Sequence, residues 1–276
     1  MTIIKPLSTL FSALLLCAAM IFTPAPAAWG GAGQTAADPA PGQTMTASLA
    51  RFLGIPFRVD GAADTLGRWV TFNEPELVVQ TPGFNCSGFT VAAARELLGY
   101  NFDLIEVNFD RRGDSGPGAP LGQDWDFGLD LILNLSEDYP RRFLPEPENP
   151  QNTPLIAIGP GRALGWGVSL HSPAFEEQLK LIQPGRFCFF TFSKPDRRFP
   201  AGVSYYHVGV IVPDAQGLWL YHSTLGAKTN RVNLADPEGL ARLRRHFPPI
   251  QNGERRVFLI EVTPPDRPEK MTAAGQ

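Results

Sequence analysis

The chain is poor in cysteine, in histidine and in charge of either sign. Its 276 residues hold 3 cysteines and 4 histidines. Lys and Arg number 24 against 27 Asp and Glu, a formal net charge of −3. With no basic excess there is no footprint for neutralising phosphates, so nucleic acid is excluded as a partner. The sequence also lacks CxxC, HExxH and any acidic cluster with ligand spacing, so neither a metal nor a cofactor is expected. The longest apolar run, 10–22, is about 13 residues against the roughly 20 that cross a bilayer, which excludes stable membrane insertion of the mature chain. Internal repeats and heptads are missing too, which excludes solenoids and coiled coils.

What is present begins with an address. Lys5, the apolar run and Ala25-Pro26-Ala27-Ala28 form the charged start, core and small-residue cleavage pattern of a secretory signal peptide over 1–28. Leu16 stands before Cys17 where lipidation wants a small residue. The expected location is therefore periplasmic or secreted. Residues 29–46, rich in Gly, Ala, Pro and Gln, read as a flexible linker, 47–263 as one domain, and 264–276 as a loose tail. Inside the domain, 101–160 is crowded with Pro, Gly and Asp and reads as a long, partly irregular insertion.

The domain's first half has helical periods and its second half strand-like ones, the α+β order. Phe89, Ala93 and Leu97 make a stripe that predicts a helix over 86–98, with Asn85 as N-cap and Gly99 at its end. Further helices are expected over 127–135 and, behind Ser172 and Pro173, over 173–182. Short β-rich runs at 186–192, 205–212, 217–223 and 256–262 predict an antiparallel sheet.

Cleavage of the leader leaves Cys86 and Cys188, which in an exported protein either pair or stay free. Cys86 falls at a predicted helix start, where unpaired amides favour the thiolate, with Ser87 and Gly88 leaving room for a substrate. The bland alternative is a small buried hydrophobe. Alternation puts Tyr205, His207, Gly209 and Ile211 on one strand face. With a four-residue loop over 213–216, Val212 pairs with Gly217 and His207 stands directly opposite His222. Two facing histidines are either a base with its orienter or half of a metal site. His171 and His246 read as solvated, and 239–245 as an exposed helical face.

Taken together, Asn85-Cys86-Ser87-Gly88, Pro184-Gly185-Arg186 leading into Phe187-Cys188-Phe189-Phe190, His207-Val208-Gly209 and His222 resemble the NlpC-type cell-wall cysteine peptidases, a papain-like family. Asn85 and Arg186 stand where that pattern usually has Asp. The resemblance implies a papain-like α+β fold with the cysteine helix packed on the histidine sheet. It further implies Cys86 as nucleophile, His207 as general base and then acid, and His222 as orienter. The expected activity is amide hydrolysis in peptidoglycan stem peptides through an acyl-enzyme. Two alternatives stay open: a papain-like acyltransferase or thioesterase, and a catalytically silent cell-wall binding module. Oligomeric state is not legible.

Overall fold

Four phenylalanines at 187, 189, 190 and 192 unfit this segment for a sheet with a wet face. In the structure, a computed structural model describing residues 41–111, 113, 125–145, 167–196, 203–250 and 254–266, all four are fully buried. They lie on β5 (Phe187–Pro195), flanked by β9 (Arg256–Val262) and β6 (Val203–Asp214). Alternation sends Phe187 and Phe189 to one face and Cys188, Phe190 and Phe192 to the other, and each set joins a separate apolar cluster. Burying one phenylalanine stabilises by about 1.5–3 kcal/mol, so a strand carrying four belongs where both faces are covered.

The sheet is antiparallel throughout, in the order β3 (Arg141–Leu144), β9, β5, β6, β7 (Gly217–His222), β8 (Asn230–Asn233), with β4 (Val168–Ser169) also on β9. On one face lie α1 (Pro41–Leu49), α2 (Cys86–Leu98) and α4 (Phe127–Ser136), which share a cluster with Val208, Val210 and Val212 of β6. The short α3 (Leu104–Val107) packs beside α4. Residues of α5 (Pro173–Lys180) and α6 (Pro237–His246) cover the other face with Cys188, Ile211 and Leu259. A separate ribbon of β1 (Gly61–Ala63) and β2 (Trp69–Thr71) closes over the start of α2. The architecture is α+β, as expected, and no helix among the described residues is long and apolar enough to cross a membrane.

The differences from expectation have local causes. Helix α1 begins at Pro41, inside the segment read as linker; Met45 and Leu49, four apart, are buried in the first cluster and hold it down. Among its described residues the 101–160 stretch, read as partly irregular, also carries regular elements, α3, α4 and β3. Leu129, Leu131, Ile132, Leu133 and Leu135 of α4 are buried, and β3 pairs with β9. Ser172 precedes α5 as expected, yet its hydroxyl bonds Ser169 O at 2.9 Å and caps nothing. The 239–245 segment is amphipathic, with Leu240 and Leu243 buried. Cys86 and Cys188 are both free thiols. The leader, the linker up to residue 40, most of the tail and residues 114–124 and 146–166 fall outside the described residues.

Arg186, where the resembling family has Asp, bonds buried Glu261 at 3.1 Å together with Arg142 at 2.9 Å. Gly88 has a different duty from the one expected. A Cβ there would stand 2.1 Å from Gly61 O and 2.8 Å from Ala62 Cα, so the glycine lets β1 press against the first turn of α2. Gly88→Ala must displace backbone, and a destabilisation of about 1–3 kcal/mol or more is expected. Urea midpoints measure it, and an unchanged midpoint would show that β1 yields freely.

Candidate active site

Cys86 is held by the chain on either side of it. Asn85 Oδ1 accepts from Gly88 N at 2.6 Å, an N-cap of the predicted kind. Asn85 N donates to Gly61 O at 2.8 Å, and Phe84 O accepts both Arg58 N at 3.1 Å and Ser223 Oγ at 2.8 Å. Because Ser223 directly follows β7, this last bond ties the cysteine loop to the end of the strand bearing His222.

The half-buried Cys86 places Sγ 3.8 Å from Tyr206 O and 4.0 Å from Ser87 Oγ. Burial pushes the thiol up, outweighing the amides of Val208, Ser87 and Cys86 and the Ser87 hydroxyl, which favour the thiolate. This reverses the direction expected from a helix start alone: a few N–H dipoles do not replace the water the sulfur has lost. Nor are Ser87 and Gly88 open to a substrate, since both are buried.

On β6 the strict alternation fails at one point. Phe192 pairs with His207 but Ser193 with Tyr205, so Tyr206 is a bulge residue. Tyr205 therefore joins the cluster on the α2 face. His207, Gly209 and Ile211 remain on the α6 face. The His207 ring sits there among Phe192 at 5.6 Å, Phe190 at 5.9 Å and Phe247 at 4.9 Å. A Cβ at Gly209 would meet the Phe190 ring at 2.6 Å, so the room left by this glycine is filled by that ring.

The hairpin loop is shorter than the four residues expected. Asp214 pairs with Gly217 across a two-residue turn, because Asp214 Oδ1 accepts the amides of Gln216 at 2.8 Å and Gly217 at 3.0 Å. Pro213 stays in the strand, beyond the last β5 partner at Cys188, where its missing N–H removes no ladder bond. The register shifts by two, which preserves the face and moves the partner. His222 comes opposite Gly209, diagonal to His207. The rings still meet, with His207 Nε2 and His222 Nδ1 3.0 Å apart and both residues buried.

Behind His222 stands Asn230, its partner on β8, with Oδ1 3.2 Å from His222 Nε2. The Asn230 amide group donates to Lys228 O at 2.9 Å, which fixes its orientation. Burial lowers both imidazoles, His222 to about 3 and His207 well below the usual histidine range, with neighbouring histidines and arginines adding to the effect. At neutral pH both are uncharged, and the proton positions follow from the partners. His222 Nε2 carries hydrogen toward Asn230, so its Nδ1 accepts from His207 Nε2–H. His207 Nδ1 is then the nitrogen with the free lone pair. Asn230→Ala should release this tautomer, and imidazole 15N shifts read it directly. A resting His207 protonated on Nδ1 in the unmutated chain would overturn the assignment.

The structure thus brings His207 and His222 together, and it brings Cys86 to the same stretch of β6 from another side. Sγ lies against the backbone of residues 206–208, past the end of β7, while the ring of His207 projects to the α6 face. No hydrogen bond joins the sulfur to either imidazole among the described residues. The remaining two histidines are not both bland. Exposed His246 stands with its ring 6.2 Å from that of His222, and His171 Nε2 bonds Phe247 O at 2.9 Å, supporting the ring that stacks on His207.

No protein-family model matches the sequence. No curated protein matches it either. Among solved structures the chain is similar to a Legionella pneumophila protein of family DUF1460, at 11% identity and a TM-score of 0.41 over 82% of this chain and 90% of that one. It is similar as well to an N-acetylmuramoyl-L-alanine amidase of Bacteroides uniformis, at 12% identity and a TM-score of 0.37 over 80% of this chain and 98% of that one. Overlays this loose fix neither the residues that react nor the bond they act on. The described residues hold no group of three or more His, Cys, Asp or Glu placed to bind a metal.

Sequence reasoning passed over Tyr206, Asn230, Phe247 and Arg255. Asn230 carried a usable signal, being the polar residue one strand beyond His222. Tyr206 carried none, because a bulge is set by both strands at once.

Proposed function

We propose that this chain is an exported cysteine hydrolase of peptidoglycan stem peptides, with Cys86 as nucleophile, His207 as base and His222 as its orienter. The observation that carries the reading is the 3.0 Å bond between the imidazoles, backed by Asn230, which leaves the His207 Nδ1 lone pair free beside the strand segment that Sγ touches. The stem-peptide substrate rests on the four motifs resembling NlpC-type peptidases and on the secretory leader.

In this mechanism Sγ attacks the amide carbon as its proton passes to His207 Nδ1. The C–N bond then breaks, and the same proton leaves on the amine. A water gives its proton to Nδ1 as it attacks the thioester, the C–S bond breaks, and the thiol is restored. Throughout, His207 Nε2–H stays on His222. Because the thiol is raised and the imidazole lowered, the resting pair is neutral and no preformed ion pair exists. Sγ must turn from Tyr206 O toward Nδ1 when substrate binds, a tightening common in sites without ligand.

The test is digestion of purified sacculi by the mature chain, with fragments read by mass spectrometry. New amino and carboxyl ends on stem peptides are expected. A second reading, a silent wall-binding module, is favoured by one observation, the missing bond between Sγ and the imidazoles. It predicts sedimentation with sacculi and no new ends.

A further inference from the structure

Beside the histidines lies a buried cation that meets no counter-ion among the described residues. Arg255, just before β9, is 9% exposed. Its Nη1 donates to Tyr206 Oη, and its Nε is buried with no partner. Its guanidinium lies 5.4 Å from the Tyr206 ring centre and 5.5 Å from that of Phe247. No carboxylate pairs with it among the described residues, although neighbouring Arg256 pairs with Glu254 at 2.9 Å. A second cation, Lys194 Nζ, stands 4.8 Å from the same Tyr206 ring. Stacking on two rings softens the cost of burying an arginine but leaves a donor unused.

The position gives this donor a direction. Tyr206 is the bulge residue whose carbonyl touches Cys86 Sγ, and Phe247 stacks on His207. Arg255 is thus one aromatic ring from each half of the site. We propose that Arg255 anchors a substrate carboxylate, so that the site selects peptides bearing a free carboxylate near the scissile amide over the corresponding carboxamides. This rests on the hydrolase reading for its location, and on the buried guanidinium with its unpartnered Nε for its chemistry. A planar cationic fork with an unused Nε–H matches a carboxylate, and a carboxamide cannot replace it, since half of that group is itself a donor.

Anchoring has a second effect. Arg255 is one of the charges that hold His207 low, after burial and the two neighbouring histidines. A carboxylate on Arg255 offsets that charge and so removes the last-ranked of the effects that hold His207 low when the substrate arrives.

The test uses the full mature chain with Cys86→Ala, so that binding is read without turnover. The probes are an acetylated dipeptide ending in a free carboxylate and its C-terminal carboxamide. Calorimetry should show the carboxylate binding about tenfold or more tighter, the scale of one charge-assisted pair. Arg255→Met on that background should erase the gap, and Arg255→Lys restore part of it. Equal affinities, no binding of either probe, or a gap that survives Arg255→Met would overturn the proposal. Phenylglyoxal labelling of the unmutated chain gives the same answer without substitution: the carboxylate dipeptide alone should protect Arg255, and protection by neither or by both would also overturn it. A preference for carboxylate in a chain that never cuts sacculi would sink the hydrolase reading instead, and hydrolysis indifferent to the carboxylate would sink only this one.

Discussion

Cys86→Ala should abolish the release of stem-peptide ends from sacculi, by about 10^4-fold or more, while leaving the fold intact. The size follows from the role. A nucleophile that forms the acyl-enzyme has no substitute in the site, and what survives its loss is the contribution of binding and oxyanion contacts. The intact fold follows from the environment. Sγ has only long contacts, at 3.8 and 4.0 Å, and the cysteine is anchored through Asn85 and Phe84, not through its own side chain. Removing one half-buried sulfur should cost at most about 1 kcal/mol. Sacculus digestion paired with a urea titration checks both parts. Activity that persists in the folded variant would show that the thiol is not the nucleophile, whatever bond is cut. A thiol raised by burial also carries a signature of its own: without substrate, alkylation of wild-type Cys86 should be slow at neutral pH and accelerate only in the alkaline range.

How much of this was legible before the structure depends on whether one element or two set each feature. The cysteine helix came through with both ends right, because Asn85, the 89–93–97 stripe and Gly99 are local signals that tertiary packing did not oppose. Strand β9 came through for the same reason, a short β-rich run over 256–262 bounded by turn residues. Features fixed by two chains at once did not. The bulge at Tyr206 exists only in the pairing of β5 with β6, and it reverses the face of Tyr205. The hairpin register depended on whether Asp214 belonged to the loop or the strand, and its side chain decided by accepting two amides. An error of two residues keeps parity, so the histidines still met; an error of one would have separated them. Helix α4 was legible from its own leucine-rich period over 127–135, whereas strand β3 was not, since four residues carry little period of their own and the pairing with β9 is set by a distant part of the chain. The electrostatics were the least legible, because the sign of the thiol shift depends on desolvation, which no motif records.

His207→Asn should lower hydrolysis by about 10^2- to 10^4-fold, the usual span for losing a general base, and it should do so with Cys86 still present and alkylatable. The same substitution tests the tautomer chain from the other side. His222 Nδ1 loses its donor, and a buried acceptor left without one costs about 1–3 kcal/mol. The pH dependence of stability separates the two effects. Both histidines titrate lower in the folded chain than their usual 6.5, so the unfolded chain takes up protons first as pH falls. The stability they confer is complete above about 6.5 and is lost progressively as pH falls, toward about 3 for His222, by up to about 1.4 kcal/mol per pH unit for each histidine. Wild-type urea midpoints should therefore fall steadily from pH 6.5 to 4. In His207→Asn the slope should shrink, since one proton-accepting group has gone. A variant as inactive as expected but with the wild-type slope would mean that His207 is not neutral in the resting fold. The base would then already hold its proton, and Cys86 would need another acceptor for its own.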